Sequence, residues 1–226
     1  VAGVVIAPLG VSSHHGKLAK LGEKIPIVYV DSELDSTSTF VGTDNRQSFR
    51  LIVDYLLRSG DVPCFFGMPE VNANASDRSE AYRLAMEAQG LTPVFVDTQK
   101  SDSWDFEGFG FSETMRILES GAFPTRTILC ANDRVAFGVL GASYQAGVKV
   151  GFGDDCAFRV AGHDDQPLAR YMCPPLTTVA QNYDEIGRIA VELLLDRIAY
   201  AAEKRPEPPE FKRVLLTGEI RLRQSA

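Results

Sequence analysis

Short apolar runs separated by amphipathic helical stretches recur along the whole chain, and this alternation restricts the fold more than any other feature of the sequence. The runs fall at 3–7 (GVVIA), 25–30 (IPIVYV), 62–67 (VPCFFG), 93–97 (PVFVD), 127–131 (TILCA) and 158–162 (FRVAG). Each is short, rich in β-branched or aromatic residues and flanked by turn formers, the pattern of a buried strand. Between them, Phe49, Ile52, Val53, Leu56 and Leu57 form one apolar stripe at helical spacing. Ala81, Leu84, Ala85 and Ala88 form a second, Val135, Val139, Ala142 and Ala146 a third, and Ile186, Ile189, Ala190, Leu193 and Leu194 a fourth. Glycine follows the expected helix ends at Gly60, Gly90, Gly121 and Gly147, where a positive φ without a Cβ clash is favoured. Strand, helix, glycine, strand is the rhythm of βαβ units, so the sequence predicts an α/β protein with parallel sheets flanked by helices. The segment 203–210, EKRPEPPE, sets three prolines among charges and reads as a linker or crossover, followed by a last strand pair near 211–223.

Bulk properties narrow the function. With 226 residues, 45% of them hydrophobic, the chain can bury a sizeable core as one large domain or two small lobes. A net charge of −7 speaks against this chain itself being a nucleic-acid-binding surface, which normally carries a basic patch. Cys64, Cys130, Cys156 and Cys173 are far apart and form no C-x-x-C pair, which fits a reduced, cytoplasmic protein with structural thiols. No apolar run reaches the roughly 18 residues of a membrane span. The opening V-A-G-V-V-I-A-P has neither an initiating Met nor the basic region of a signal peptide, and reads as a buried strand entered in the middle of a domain.

Ligands of parallel α/β sheets bind beyond the carboxyl ends of the strands, so the polar residues there are the candidates. Asp31 follows IVYV, Asp77-Arg78 opens a helix after CFFG, and Trp104 lies in the loop after VFVD. Asn132-Asp133 follow TILCA, and His163-Asp164-Asp165 follow FRVAG. Carboxylates, an amide, a guanidinium and an indole suit a polyhydroxylated ligand, and would also serve a purine or a carboxylate. Taken singly, each has a plainer role. Asp133 and Asp165 suit helix N-caps, Trp104 a partly buried core, Arg78 a surface ion pair, and His14-His15 a solvated loop rather than a metal site. The coincidence at the strand ends favours the functional reading. No catalytic motif is present, and the glycine pairs in GFGF (108–111) and GFGD (151–154) follow no clear strand. The His163-Asp164 pair lacks a nucleophile in the sequence, so no enzyme, cofactor or metal site is expected.

Four segments resemble the lactose-repressor (LacI/GalR) family of bacterial transcription regulators: VGTDNRQSFR (41–50), ANDRVAFGVL (131–140), AGHDD (161–165) and PPLTTVAQNYDEIG (174–187). The resemblance extends to the closing LLTGEIRLR and covers essentially the whole chain. It implies a two-lobed effector-binding domain of the type I periplasmic-binding-protein fold, with residues 1–42 and 181–205 in an N-terminal lobe and 43–180 and 206–226 in a C-terminal lobe. It implies effector contacts from Asp31, Arg78, Asn132 and Asp164, an aromatic wall at Trp104, Tyr183 near the hinge, and additional contacts from Asn72 and Asn74. The effector would be a sugar or sugar derivative, with a purine as second choice. Operator DNA would be bound only through a helix-turn-helix headpiece, the assembly would be a homodimer, and no membrane would be involved. The alternative of the same fold is a periplasmic sugar-binding protein for transport or chemotaxis.

The chain departs from the family pattern in three ways. The headpiece and the first two strand-helix units are absent from the sequence, so the N-terminal lobe is expected to be incomplete. The loop around Trp104 is one residue off the usual spacing, which makes Phe106 an alternative stacking residue. Ala7 stands where some sugar-binding members carry a polar side chain. His163 occupies a position often aromatic in the family. At each of the two acidic strand ends the first residue, Asn132 or Asp164, is expected to face the ligand, and the second, Asp133 or Asp165, to cap the next helix.

Overall fold

The structure, a computed structural model, describes residues 1–8, 15–33, 37–58, 61–203 and 210–226. The described chain divides into two compact α/β units, one made of Val1–Asp44, Val71–Asn74 and Asn182–Thr217, the other of Asn45–Glu70, Ala75–Gln181 and Gly218–Ala226.

The smaller unit contains β1 (Val4–Ile6), α1 (His15–Gly22), β2 (Ile27–Val30) and β3 (Phe40–Thr43). Further elements come from later in the chain. In the smaller unit these are α6 (Tyr183–Ala202) and β9 (Arg213–Leu216). Its four strands form a parallel sheet in the order β1-β2-β3-β9. Side chains alternate across a strand, so β2 feeds both faces. Val28, with Val41, packs under Ile186, Ala190 and Leu193 of α6. Ile27 and Tyr29, with Phe40, face the other way and receive Leu18 and Leu21 of α1. The fourth apolar stripe of the sequence therefore covers this sheet as its spacing predicts. His15 is the first residue of α1 rather than part of a loop, and His14 lies outside the described residues.

The larger unit carries α2 (Asn45–Leu57), β4 (Pro63–Phe66), α3 (Ala73–Ala88, its first two residues grouped with the smaller unit), β5 (Val94–Phe95) and α4 (Phe106–Ser120). It continues with β6 (Thr127–Cys130), α5 (Asp133–Gln145), β7 (Arg159–Ala161), β8 (Thr178–Ala180) and β10 (Glu219–Arg221). A parallel sheet in the order β5-β4-β6-β7 runs through its centre. β8 joins the β7 side through a parallel bridge between Ala161 and Thr177, and pairs antiparallel with β10. Phe49, Ile52, Val53 and Leu56 of α2 are buried with Phe65, Leu129, Tyr82 and Met86. On α3 the buried face runs through Ala81, Tyr82, Ala85 and Met86, whereas Ala88 is exposed.

One detail differs from the sequence reading, and two others fill it in. The strands near 211–223 do not pair with each other: β9 continues the sheet of the smaller unit, and β10 pairs with β8 in the larger. The GFGF motif lies inside α4, where glycine serves helix packing. A Cβ on Gly110 would sit 2.3 Å from the Val135 carbonyl oxygen, and one on Gly138 would sit 2.2 Å from that of Glu107, so α4 and α5 approach with backbones nearly in contact. Of the four expected glycine stops, Gly90 and Gly147 follow their helices at φ +69°, Gly121 caps α4, and Gly60 lies outside the described residues.

Candidate functional site

The carboxyl ends of β4, β6, β7 and β8 gather polar side chains at one edge of the larger unit. Asp164 is the centre. Its side chain is 11% exposed, and its Oδ1 accepts from Arg78 Nη2 at 2.8 Å, from Gln181 Nε2 at 2.6 Å and from His163 Nδ1 at 3.1 Å. Oδ2 accepts no hydrogen bond from the described residues. Arg78 is itself buried, and its Nη1 donates to the Ala131 carbonyl at the end of β6 at 2.9 Å. Burial alone would raise the Asp164 pKa, but the Arg78 charge and the bonds from His163 and Arg78 outweigh it and bring it down to about 2. The carboxylate is thus ionised in a nearly dry setting.

The backbone at this point is strained. Asp164 has φ 128° and Asp165 φ 52°, conformations that L-residues seldom adopt, with Asp among the more tolerant. The Asp164 N–H donates to the Val179 carbonyl at 2.8 Å, so the turn is tied to β8. Asp165 is not a helix cap. It accepts from Arg223 Nη2 at 2.6 Å, and the following 3-10 turn, Pro167–Tyr171, starts after Gln166 with no side-chain cap. Pro167 does take the first helical position, where its missing N–H costs nothing.

At the other acidic strand end the first residue, not the second, is the helix cap. Asn132 is the N-cap of α5, its Oδ1 accepting from the Val135 N–H at 2.8 Å, while its Nδ2 donates to Met68 Sδ at 3.1 Å. Asp133 is fully buried and accepts from the Thr178 hydroxyl at 2.6 Å and the Gln166 N–H at 2.7 Å. Its burial first, and the repulsion of Asp164 second, push its pKa up to about 7. Asp133 is therefore a brace between α5, β8 and the turn after β7.

His163 is fully buried and stacks on Phe49 with centroids 5.1 Å apart and planes 13° from parallel. Its pKa is lowered by burial and by the nearby Arg78 charge, so the ring is neutral. Its Nε2 lies 2.8 Å from the Ser48 hydroxyl, the partner that sequence reading did not find. The order Ser48, His163, Asp164 matches a hydrolase triad, but Ser48 is fully buried on α2 and offers no surface to a substrate.

The remaining candidates separate by unit. Trp104 is 39% exposed, and Phe106, the first residue of α4, is buried under it at 5.7 Å, with the Arg134 guanidinium 4.8 Å from the Phe106 ring. Trp104, not Phe106, is the aromatic face open to solvent. In the smaller unit, exposed Asp31, at φ 65°, accepts from Asn74 Nδ2 at 3.2 Å. Asn72 has a buried Oδ1 with no hydrogen bond among the described residues. Tyr183, half exposed, opens α6. The structure thus joins Arg78 to Asp164 and Asp31 to Asn74. Gln181 and Ser48, missed in the sequence, complete the Asp164 cluster. Among the described residues no group of His, Cys, Asp or Glu could hold a metal ion, and no helix is long and apolar enough to cross a membrane.

Parallel sheets with polar groups at the strand carboxyl ends make an α/β domain of the kind that takes its ligand at that edge. The profile of the periplasmic binding protein-like domain matches residues 56–226, and the chain belongs to that family, in the form found in LacI-type regulators. It is 36% identical over 177 residues to the ribose operon repressor of Escherichia coli K12, covering 77% of this chain and 51% of that protein. It is 28% identical over 207 residues to the HTH-type transcriptional repressor PurR of Haemophilus influenzae (strain PittEE), covering 89% and 57%. The chain spans about half the length of these relatives. A LacI family regulator from Enterococcus faecium with bound ribose superposes with a TM-score of 0.77 at 26% identity, covering 100% of this chain and 79% of that one. A dimeric Lac repressor superposes at 0.82 with 22% identity, covering 100% and 77%, which shows the shared fold.

Proposed function

We propose that this chain senses a small polyhydroxylated effector, a pentose such as ribose first among them, on behalf of a LacI-type transcriptional repressor. The observation that supports it most is the Asp164 carboxylate. It is ionised, held by three donors on one oxygen, and left with the other oxygen unbonded among the described residues. An ionised acceptor of this kind suits a sugar hydroxyl, and a charge-assisted bond contributes about 1.5–3 kcal/mol. Asn132, whose amide caps α5 and meets Met68, is a further candidate from the end of β6, and Trp104 supplies an indole face for the C–H side of a sugar ring. Asp31, Asn72, Asn74 and Tyr183 are the contacts proposed from the smaller unit. The repressor relatives and the ribose bound to the Enterococcus faecium regulator favour this reading over a transport protein.

In this reading the effector shifts a conformational equilibrium, and paired subunits carry the shift to helix-turn-helix headpieces outside this chain. Titration calorimetry with D-ribose, other pentoses, hexoses and purine bases tests the proposal. Saturable binding by one sugar, weakened at least about tenfold in Asp164→Asn and in Trp104→Ala, is expected for lost polar or stacking contacts. A folded sample that takes up no sugar and no base sinks it.

A further inference from the structure

Asp164 is buried and strained, and it can offer an oxygen to a ligand only if something holds its carboxylate in one orientation. Arg78 and Gln181 supply charge and one amide bond. The third donor is His163, and an imidazole can donate through Nδ1 only when it sits in the matching tautomer. We infer that Ser48 and His163 are positioning residues for the effector-binding carboxylate, fixing Asp164 so that Oδ1 is saturated inside the protein and Oδ2 faces the ligand. The inference rests on the effector reading above and adds two residues that touch no ligand.

The geometry supports it step by step. An ionised carboxylate only accepts, so the 3.1 Å contact between His163 Nδ1 and Asp164 Oδ1 requires the proton on Nδ1. The neutral ring then presents a lone pair on Nε2, and the Ser48 hydroxyl at 2.8 Å donates to it. Ser48 Oγ also lies 3.2 Å from the Asn45 carbonyl, but a hydroxyl has one proton. If it went to Asn45, His163 would have to donate from Nε2 and turn a lone pair toward the carboxylate, two acceptors face to face. The parallel stack on Phe49 fixes the ring plane. Both nitrogens are therefore committed, and the imidazole can neither rotate nor change tautomer without breaking a buried bond. The charged and titratable groups facing the carboxylate are Arg78 from α3, the neutral His163 from its own turn, and Asp133 from α5, whose charge opposes that of Arg78.

Three measurements test this. In the ligand-free chain, nitrogen-15 NMR of the imidazoles should show His163 neutral with its proton on Nδ1, and Ser48→Ala should leave the proton there while shifting the Nε2 resonance as that lone pair loses its donor. A wild-type His163 protonated on Nε2 overturns the proposal whatever the ligand. For binding, D-ribose is the probe. Ser48→Ala and His163→Phe, the latter keeping the stack, should each weaken it about tenfold, the effect of one charge-assisted hydrogen bond, and Ser48→Thr should restore it. Binding should fall off at a higher pH in His163→Phe than in the wild type, as the carboxylate loses a donor and is more easily protonated. Variants that bind like the wild type, with the same pH profile, refute the positioning role. A folded wild type that binds no sugar refutes the effector reading instead, and the NMR result then still decides the tautomer lock.

Discussion

Asp133 offers a test of the electrostatics that does not depend on any ligand. It is fully buried, and its pKa rises from 3.8 to about 7 because burial penalises the charge and Asp164 repels it. In the unfolded chain it ionises near 3.8. Below that pH it is protonated in both states and costs nothing. Between about 4 and 7 the folded state holds a proton that the unfolded state has released, so stability falls as pH rises, and the loss is complete above about 7. The gap of about 3 pH units, at about 1.4 kcal/mol each, amounts to about 4 kcal/mol. Asp133→Asn removes that charge and keeps the shape: its Oδ1 can accept from the Gln166 N–H, and its Nδ2 can donate to a Thr178 hydroxyl that has turned. The variant should match the wild type within about 1 kcal/mol at pH 4 and gain up to about 4 kcal/mol on it at pH 8. In a domain of this size that gain is roughly 10 °C in Tm. Thermal unfolding of both proteins at the two pH values measures it, and contributions from other titrating groups cancel in the difference. If the variant-minus-wild-type Tm difference is the same at pH 4 and pH 8, the buried-charge reasoning is wrong.

Other perturbations have equally direct readouts. Gly138→Ala should destabilise the chain by about 2–4 kcal/mol, an overpacking cost, because the new Cβ meets the Glu107 carbonyl at 2.2 Å; chemical denaturation would show this as a lower midpoint at constant slope. Phe49→Leu should cost about 1–3 kcal/mol through lost core packing and the lost stack on His163, and should weaken sugar binding along with stability. Trp104→Ala should cost about 1–2 kcal/mol, less than the about 3–5 kcal/mol of a fully buried Trp, because its side chain is 39% exposed, while lowering sugar affinity; a full core-sized loss would place Trp104 in the core instead.

How much of this was legible in the sequence depends on how local the signal is. The strands at 62–67 and 127–131 and the stripe of α2 follow from periodicity, because burial on both faces or on one stripe leaves a mark within a few residues. β3 and β8 leave weaker marks. The first contains Gly42, and the second is only a threonine, a valine and an alanine, so their assignment comes from the neighbouring strands that pair with them. β9 and β10 read as a hairpin because only two residues separate them, and nothing in either strand encodes that they join different sheets. At the site, strand-end position put Asp164 and Arg78 among the candidates and the structure pairs them, yet it could not separate cap from brace at Asn132 and Asp133. That choice turns on whether α5 starts one residue earlier or later, and here Asn132 caps it while Asp133 is buried as a brace. Ser48 lies 115 residues from His163, and a buried serine on a helix has no sequence mark that distinguishes it from any other.

The strain at Asp164 is the most informative of the features that the sequence hides. A residue at φ 128° sits outside the region that even Asp tolerates easily, and such conformations cost on the order of 1–3 kcal/mol and persist only when their surroundings over-determine them. Here the surroundings do so: Arg78, Gln181 and His163 converge on one carboxylate oxygen, and the backbone N–H is tied to Val179. A merely structural acidic residue would satisfy both oxygens with less effort, as Asp133 does with Thr178 and Gln166. Three donors on Oδ1, beside an Oδ2 unbonded among the described residues, make sense if the second oxygen is reserved. Asp165, one residue on, is paired instead to Arg223, so the two neighbouring carboxylates are held by different guanidinium groups.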